Sequence, residues 1–571
     1  MNNTGNIPPE YSAGPNQKSS KKSTPAKSVA VGLIISAIFA AIYYYVTLPP
    51  LNPQSGEFWT FLALVLACFT VIQLMSAGVR FDRAGGFYAE RTKIKKGGLR
   101  IKLPLMLIGV IIAVCIIGSI ISAPIFHASG YYNLLEVENG DFASDVAQIS
   151  YSEIPMLDKD SSVQLGKRAL GNISSNSNLV SQFEVADAEY SQINYQGEPV
   201  RVAPLEYGDW IKWFNNRADG LPGYIVVNMV TQEAKLVQLS EGMKYSSCEH
   251  FGHNLYRVLR FRYPTMMFGD CNFEIDEDGT PWWICSRVVK RIGLFGGEDI
   301  QGAVLVNAVT GESTYYNEVP SWVDRVYEAD MVVTQYDYHG AYVNGWLNSW
   351  LGQKGVTQTT DGYNYIALND DVYLYTGVTS AGDDESNVGF ILVNQRTKEA
   401  HYYNITGAEE YSAMSSAEGA VQHLNYSATF PILLNISDEP TYFMALKDSA
   451  ELVKMYAMVN VSDYQITATG SSVMECQANY EALLIANGIQ VVDAVEEQDI
   501  EKTESVAGIL TDIRSAVMNG NTVFYLSLDG EIYYTISASD CPQAVILNVG
   551  DRVTVTYQPG EGSILSAISV E

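Results

Sequence analysis

Residues 302–316 read Gly302-Ala-Val-Leu-Val-Asn307-Ala-Val-Thr310-Gly-Glu312-Ser-Thr-Tyr315-Tyr316. Nearly the same phrase stands at Gly223-Tyr-Ile-Val-Val-Asn228-Met-Val-Thr231-Gln-Glu233 and at Gly389-Phe-Ile-Leu-Val-Asn394-Gln-Arg-Thr397-Lys-Glu399, with a worn copy at Tyr456-Ala-Met-Val-Asn460-Val-Ser462. Val, Ile, Leu, Phe and Tyr suit a pleated, half-buried surface. Asn and Thr bond their own backbone and favour a tight reversal. Each copy therefore reads as a β-hairpin with a polar tip. The four Asn residues are 79, 87 and 66 positions apart, too irregular and too long for a solenoid repeat.

Working outward, a second turn signal precedes each copy. These are Gln196-Gly197 before Pro199, Asp276 to Pro281, Asn369-Asp370-Asp371, and Ser437-Asp438 before Pro440. Helical patterns are expected over 161–172, 245–259, 322–336 and 409–423, with a further helix over 473–487. The expected unit is helix, hairpin, hairpin: a small antiparallel sheet with a helix across one face. About four such modules fill residues 127–492.

The Val306-Asn307-Ala308-Val309-Thr310-Gly311-Glu312 turn resembles the final hairpin of PepSY and cystatin-like domains, which end in Asp-x-x-Thr-Gly. Here Asn replaces the Asp, and only this copy keeps the Gly. The resemblance implies α+β modules that bind and restrain partners at a cell envelope. The whole chain is similar to uncharacterised multipass membrane proteins of Gram-positive bacteria, which implies a location and no catalytic residues.

Residues 1–27 are basic, rich in Pro, Ser and Asn, and without apolar periodicity, so disorder is expected. Three apolar runs follow, at 28–48, 58–77 and 103–126, each near the ~20 residues a membrane-crossing helix needs. Eight Lys and Arg residues crowd the 78–102 loop, while the loop after Pro49-Pro50 has none. Positive charge stays inside, so the N-terminus and the basic loop are expected in the cytoplasm and residues 127–571 outside. Gly109-x-x-x-Ala113 and Gly118-x-x-x-Ser122 in the third run could let helices approach closely.

Charge divides along the same line. The first 125 residues hold twelve of the 35 bases and four of the 64 acids, a net of +8, so the remainder carries −37 of a chain total of −29. An acidic exterior repels nucleic acid and anionic lipid, and no nucleic acid is expected as a partner. Residues 493–504 read as an acidic linker. Residues 505–571 carry five or six short strands, and their Gly550-Asp-Arg-Val-Thr-Val phrase resembles an OB-type barrel.

Chemistry-bearing clusters are few. Cys248, His250 and His253 are the best metal-like group, with Cys271 or Cys285 able to complete a set. They lack a zinc spacing, and no metal or other cofactor is expected. His250 and His253, three apart, would share a helix face. Five cysteines lie in the outer region, an odd number. Cys271 and Cys285 are either a disulfide across one turn or small buried residues. Asp370-Asp371 and Asp383-Asp384-Glu385 read as solvated turns. No Gly-x-Ser-x-Gly, His-Glu-x-x-His or phosphate-binding loop occurs, so no catalytic residue is assigned. The Gly-interrupted aromatic stretch with Tyr336, Tyr338, His339, Trp346, Trp350 and Tyr363 is the expected place for a ligand or partner groove. The sequence thus points to a membrane-anchored, non-catalytic envelope scaffold that meets other envelope proteins. Its alternatives are a glycan hydrolase or an accessory subunit of a transport system.

Overall fold

The structure is a computed structural model. It describes residues 25–76, 80–81, 87–88, 91–148, 154–172, 177–368, 370–381, 386–449, 451–491, 504–518, 521–528, 530, 532–537, 541–557 and 564–570. The basic tail before Pro25, Asn369, the Asp383-Asp384-Glu385 cluster and the linker before Glu504 lie outside the described residues.

Three apolar helices come first: α1 (Pro25–Thr47), α2 (Gly56–Ser76) and α3 (Arg91–Ile121). Stretches of 22, 21 and 24 residues within them are long and apolar enough to cross a bilayer. The third ends earlier than the apolar run does. Pro124 lacks the N–H a continuing helix needs, and it opens a separate helix, α4 (Pro124–Tyr132). At its other end α3 is broken at Gly98, whose φ of 38° only glycine adopts easily.

Beyond α4 the chain is rich in sheet. Four sheets each contain a four-strand antiparallel meander. The first runs through Ser191–Tyr195, Glu198–Tyr207, Leu221–Asn228 and Ala234–Met243. The second is Met267–Ile275, Pro281–Ile292, Gly296–Asn307 and Ser313–Tyr316. The third is Asn364–Leu368, Asp371–Ser380, Ser386–Asn394 and Ala400–Tyr403. The fourth is Ile432–Ile436, Glu439–Lys447, Val453–Asn460 and Thr467–Gly470.

The Asn tips have one geometry. The side-chain oxygen of Asn228 accepts from the N–H groups of Val230 and Thr231, that of Asn307 from Val309 and Thr310, and that of Asn394 from Arg396 and Thr397, all within 3.0 Å. The residue after each Asn, in all four copies, donates its N–H back to the second strand: Met229 to Pro199, Ala308 to Pro281, Gln395 to Val372 and Val461 to Pro440. Three of those four acceptors are prolines. A proline carbonyl still accepts there, while its missing N–H costs the ladder nothing at a strand end.

The helix before the second meander is shorter than its pattern. It covers only Leu255–Arg262, because Asn254 caps it, accepting from the Arg257 N–H at 3.2 Å. The helix before the third starts at Ala329 rather than at 322. The N–H groups of Asp324 and Arg325 are already taken by Glu274, both at 2.9 Å. Lys159–Gly171 and Glu410–Ala420 precede the first and fourth meanders, and Val473–Ala486 follows the fourth.

The meanders share cores in pairs. Val202, Leu205 and Ile225 of the first pack in one cluster with Phe273, Trp283 and Val304 of the second. Tyr375 and Phe390 of the third join Tyr442, Phe443 and Met458 of the fourth. The segment after α4 laces the second pair. Val137–Asn139 lies parallel to Ala400–Tyr403, and Gln148 bridges to Asn435.

Residues 493–571 form a separate compact unit. Six strands stand in the order Glu504–Ile509, Arg552–Tyr557, Ile564–Val570, Tyr533–Ser537, Asn521–Ser527, Asp512–Met518, around Leu526, Tyr534, Ile536 and Val555. The two outermost strands are consecutive in sequence. Between them the Leu510 N–H donates to Asp551 and the Thr511 N–H to Ser527. No ladder closes this sheet into a barrel among the described residues.

Candidate functional site

The sheet region is bolted to the ends of the apolar helices at two places. The loop from α1 to α2 is one. Leu51 donates its N–H to the Pro264 carbonyl at 2.7 Å, the Asn52 amide donates to Thr265 at 3.1 Å, and the Gln54 amide to Lys290 at 3.0 Å. Arg260 closes this joint from the other side, with Nε on the Leu48 carbonyl at 2.7 Å and Nη1 on Met266 at 2.6 Å. Aromatic contacts extend it: Phe261 meets Tyr44 edge-on at 5.8 Å, and the Arg257 guanidinium lies 4.4 Å over the Tyr45 ring.

The C-terminal end of α3 is the second joint. Ser122 Oγ accepts from the N–H groups of Leu294 and Phe295, at 2.9 and 3.0 Å, in the central hairpin of the second meander. A Cβ on Gly118 would stand 2.7 Å from the Phe295 ring. The Gly118-x-x-x-Ser122 pattern, read from sequence as a helix–helix contact, thus seats a hairpin turn. Gly109 touches nothing within 4 Å of where a Cβ would be.

Between the joints lies a cavity of about 930 Å³. Its bases are Arg257, Arg260 and Lys290, and its acids Glu57, Glu298 and Glu328. Lys290 is bonded to Glu298, and Glu328 accepts the Asp270 N–H at 2.7 Å. Burial raises the Glu328 carboxyl above its ordinary range, and the Asp270 bond opposes that. Arg260 is held below its usual value, chiefly by burial. The charges are balanced, and Arg260, Lys290, Glu298 and Glu328 are already bonded, which suits a structural seam better than an acid–base centre.

Exposed apolar side chains flank the seam. On the side of Arg257, which also donates to the Phe251 carbonyl, stand Trp210, Ile211, Phe214 and Phe251. The short helix Trp346–Leu351, which contacts α4, exposes Leu347, Trp350 and Leu351, and Phe126 of α4 is exposed as well.

The expected groove does not assemble as one surface. Tyr336 is buried in the core of the third meander, and Tyr338 and His339 pack against α4. His339 Nδ1 lies 3.2 Å from the carbonyls of Tyr132 and Leu135. Trp346 and Trp350 stack on each other, and Tyr363 meets Tyr365 elsewhere.

Nor do Cys248, His250 and His253 share a helix, which corrects that expectation. His250 precedes a 3₁₀ turn, Phe251–His253, that ends before the Asn254 cap. The His250 ring meets Trp213 and the His253 ring meets Tyr245. Cys248 lies beside Ser246 Oγ, and burial pushes its thiol up to about 11. Cys271 and Cys285 form a disulfide, so neither is available as a ligand. No group of three metal-ligating side chains occurs among the described residues.

Two acids do lie together. Glu274 and Asp324 are both buried, and Asp324 accepts from the Asn194 N–H at 2.7 Å. Burial and the neighbouring Glu274 charge raise the Asp324 carboxyl. Neither lines the seam cavity. Sequence reasoning missed Arg260 and Glu274 and assigned Ser122 a different contact, because each acts on backbone groups far away in the chain.

No family model matches the chain, and no curated protein does. Among solved structures, a levansucrase variant of B. megaterium aligns with 77% of this chain and 96% of its own, at 10% identity and a TM-score of 0.17. So low a score carries no argument about fold or activity.

Proposed function

We propose that the chain is a non-catalytic scaffold of the cell envelope. In this reading the 78–102 loop faces the cytoplasm, residues 127–571 stand outside, and the four meanders present a rigid surface to other envelope proteins. The seam carries the reading. Two separate joints fix the second meander to α1, α2 and α3, so a partner docked on the sheets is held at a set height above the bilayer instead of swinging on a tether. The excess of Lys and Arg in the 78–102 loop, at the far end of the helices from the seam, supports the orientation.

The repeated Asn-tip geometry supports grouping the meanders with PepSY and cystatin-like modules. The strand order of the last unit, with consecutive strands at its two ends, supports an OB-type barrel whose first strand is bent and shared. The hydrolase reading gains nothing from the seam, where Glu298 and Glu328 are already engaged. The test is crosslinking on intact cells with capture of the full chain. Recovery of envelope proteins linked to residues 127–491 is expected. A reporter after Glu571 that is active only in the cytosol overturns the proposal.

A further inference from the structure

A cavity of about 590 Å³ lies where the first, third and fourth meanders meet, apart from the seam. Lys159, Arg201, Arg325 and Lys447 reach it from four different elements, against Asp158, Asp160 and Glu451. Lys447 accounts for two of those acids: it is bonded to Asp158 and stands 3.6 Å from Glu451. Asp158 also caps the Lys159–Gly171 helix by accepting from the Ser161 N–H. Asp160 sits exposed at the rim.

The other three cations have no carboxylate within ion-pair distance among the described residues, although Asp158 and Asp160 lie near enough for their charge to favour the charged form of Arg201. Arg201 is 6% exposed. Its Nη2 donates to Gln192 at 3.0 Å, and its buried Nε bonds nothing. Arg325 gives Nη2 to the Tyr365 hydroxyl at 2.6 Å, lies 4.4 Å over that ring, and likewise leaves Nε buried and unpaired. Lys159 Nζ reaches only the Ala188 carbonyl, at 3.3 Å. Burial, then the charges of Arg201 and Arg325, hold Lys159 below its ordinary range, and burial brings Arg201 down to about 10.

An uncompensated buried cation costs several kcal/mol, and Arg201 is buried with the half-buried Arg325 and the exposed Lys159 close enough to add to that cost. A counter-ion from solution removes it. Four cations against three acids leave one positive charge to neutralise. A guanidinium fork matches the two oxygens of a carboxylate in plane. Tyr363 and Tyr365, 5.8 Å apart and edge to face, provide flat apolar walls, and Asn364 and Thr429 add polar groups beside them. From this we infer that the cavity binds a monoanionic sugar acid, its carboxylate between Arg201 and Arg325 and its ring against Tyr363. The inference does not depend on which side of the bilayer the cavity faces.

The test is calorimetry on the full chain in detergent micelles, with glucuronate, glucose and inorganic phosphate at millimolar concentration. Glucuronate should bind at least tenfold more tightly than glucose or phosphate. Arg201→Met and Arg325→Gln should each weaken it at least tenfold, and Tyr363→Ala should weaken it less. Melting curves identify any variant that fails to fold, and Arg325→Gln, nearer the surface, then decides. Stronger binding of phosphate overturns the sugar-acid assignment. Absence of glucuronate binding, or binding that neither arginine substitution alters, overturns the site.

Discussion

The Arg260 guanidinium donates to the carbonyl of Leu48, the first residue after α1, across 212 positions of sequence. It is a charged donor given to backbone rather than to an acid. A carbonyl at a helix end has no partner within the helix and must find one elsewhere. Arg260 thus turns an unsatisfied helix terminus into a joint with the second meander. Replacing it by Ala removes two charge-assisted bonds, worth about 1.5–3 kcal/mol each before relaxation. In Arg260→Ala the Leu51 amide, bonded to Pro264, should lose hydrogen-exchange protection while amides of the fourth meander keep theirs. Unchanged protection at Leu51 would mean that the loop holds without the arginine.

Cys271 and Cys285 face each other on adjacent strands of the second meander, 14 residues apart. Closing a loop of that size stabilises by about 3 kcal/mol in the chain-entropy account. Reductant should therefore lower the melting temperature of the wild type and leave Cys271→Ala/Cys285→Ala unmoved. Mass shifts after alkylation, with and without reduction, give the same answer. Disulfides persist in oxidising compartments, so finding this one intact in purified protein also bears on the orientation of the chain.

The repeat was legible because the turn at each Asn tip is local: the bonds that the side-chain oxygens of Asn228, Asn307 and Asn394 accept close within three residues, and the apolar alternation beside them is read directly. Its glycine shows where such reading stops. Gln232, Gly311 and Lys398 occupy the same turn position, all with positive φ, at 61°, 73° and 69°. The conformation alone therefore does not require Gly311. The Tyr245 ring does, for a Cβ on Gly311 would lie 2.3 Å from it. The 245–259 and 322–336 helices were overread for a related reason. Asn254 and Glu274 divert backbone N–H groups through contacts that periodicity does not encode. The expected groove was an aromatic count without a fold: Tyr336 went to a core, Tyr338 and His339 to α4, the two tryptophans to each other and Tyr363 to Tyr365.

Gly311→Ala should accordingly cost more than strain alone. The left-handed conformation costs a non-glycine residue roughly 1–2 kcal/mol, and displacing the Tyr245 ring adds to it. Tyr245→Ala opens that space. Chemical denaturation of the two single variants and the double variant should show Gly311→Ala less harmful in the Tyr245→Ala background. Simple additivity would remove the ring from the explanation.

Trp210 and Trp350, 60% and 69% exposed, belong to the two exposed apolar groups near the seam. Amphipathic aromatics are favoured at the level of lipid headgroups. If the sheets rest on the bilayer there, brominated lipids should quench tryptophan fluorescence, and Trp210→Ala and Trp350→Ala should each reduce the quenched fraction. Equal quenching in both variants would place these rings away from lipid.

Asp324 gives the pH dependence its sign. It is 1% exposed, accepts a single backbone N–H from Asn194, and faces Glu274 with the Arg325 backbone beside it; Asp371 and Asp370 add further negative charge. Burial first, and then Glu274, raise its carboxyl above the ordinary 3.8. A group whose folded pKa is raised binds its proton more tightly in the native state. Its contribution is therefore fully present below the unfolded pKa and is lost as pH rises through the folded one. Asn keeps the acceptor oxygen and cannot ionise. Asp324→Asn should match the wild type near pH 4 and exceed it at pH 8. A tenfold tighter hold on the proton corresponds to about 1.4 kcal/mol, a reasonable lower bound for the difference. Glu274 still titrates in the variant, so a shallower slope should remain rather than a flat line. Denaturant midpoints across this range decide it, and a wild type more stable than Asp324→Asn at pH 8 would show that Asp324 is ionised and compensated in the folded protein.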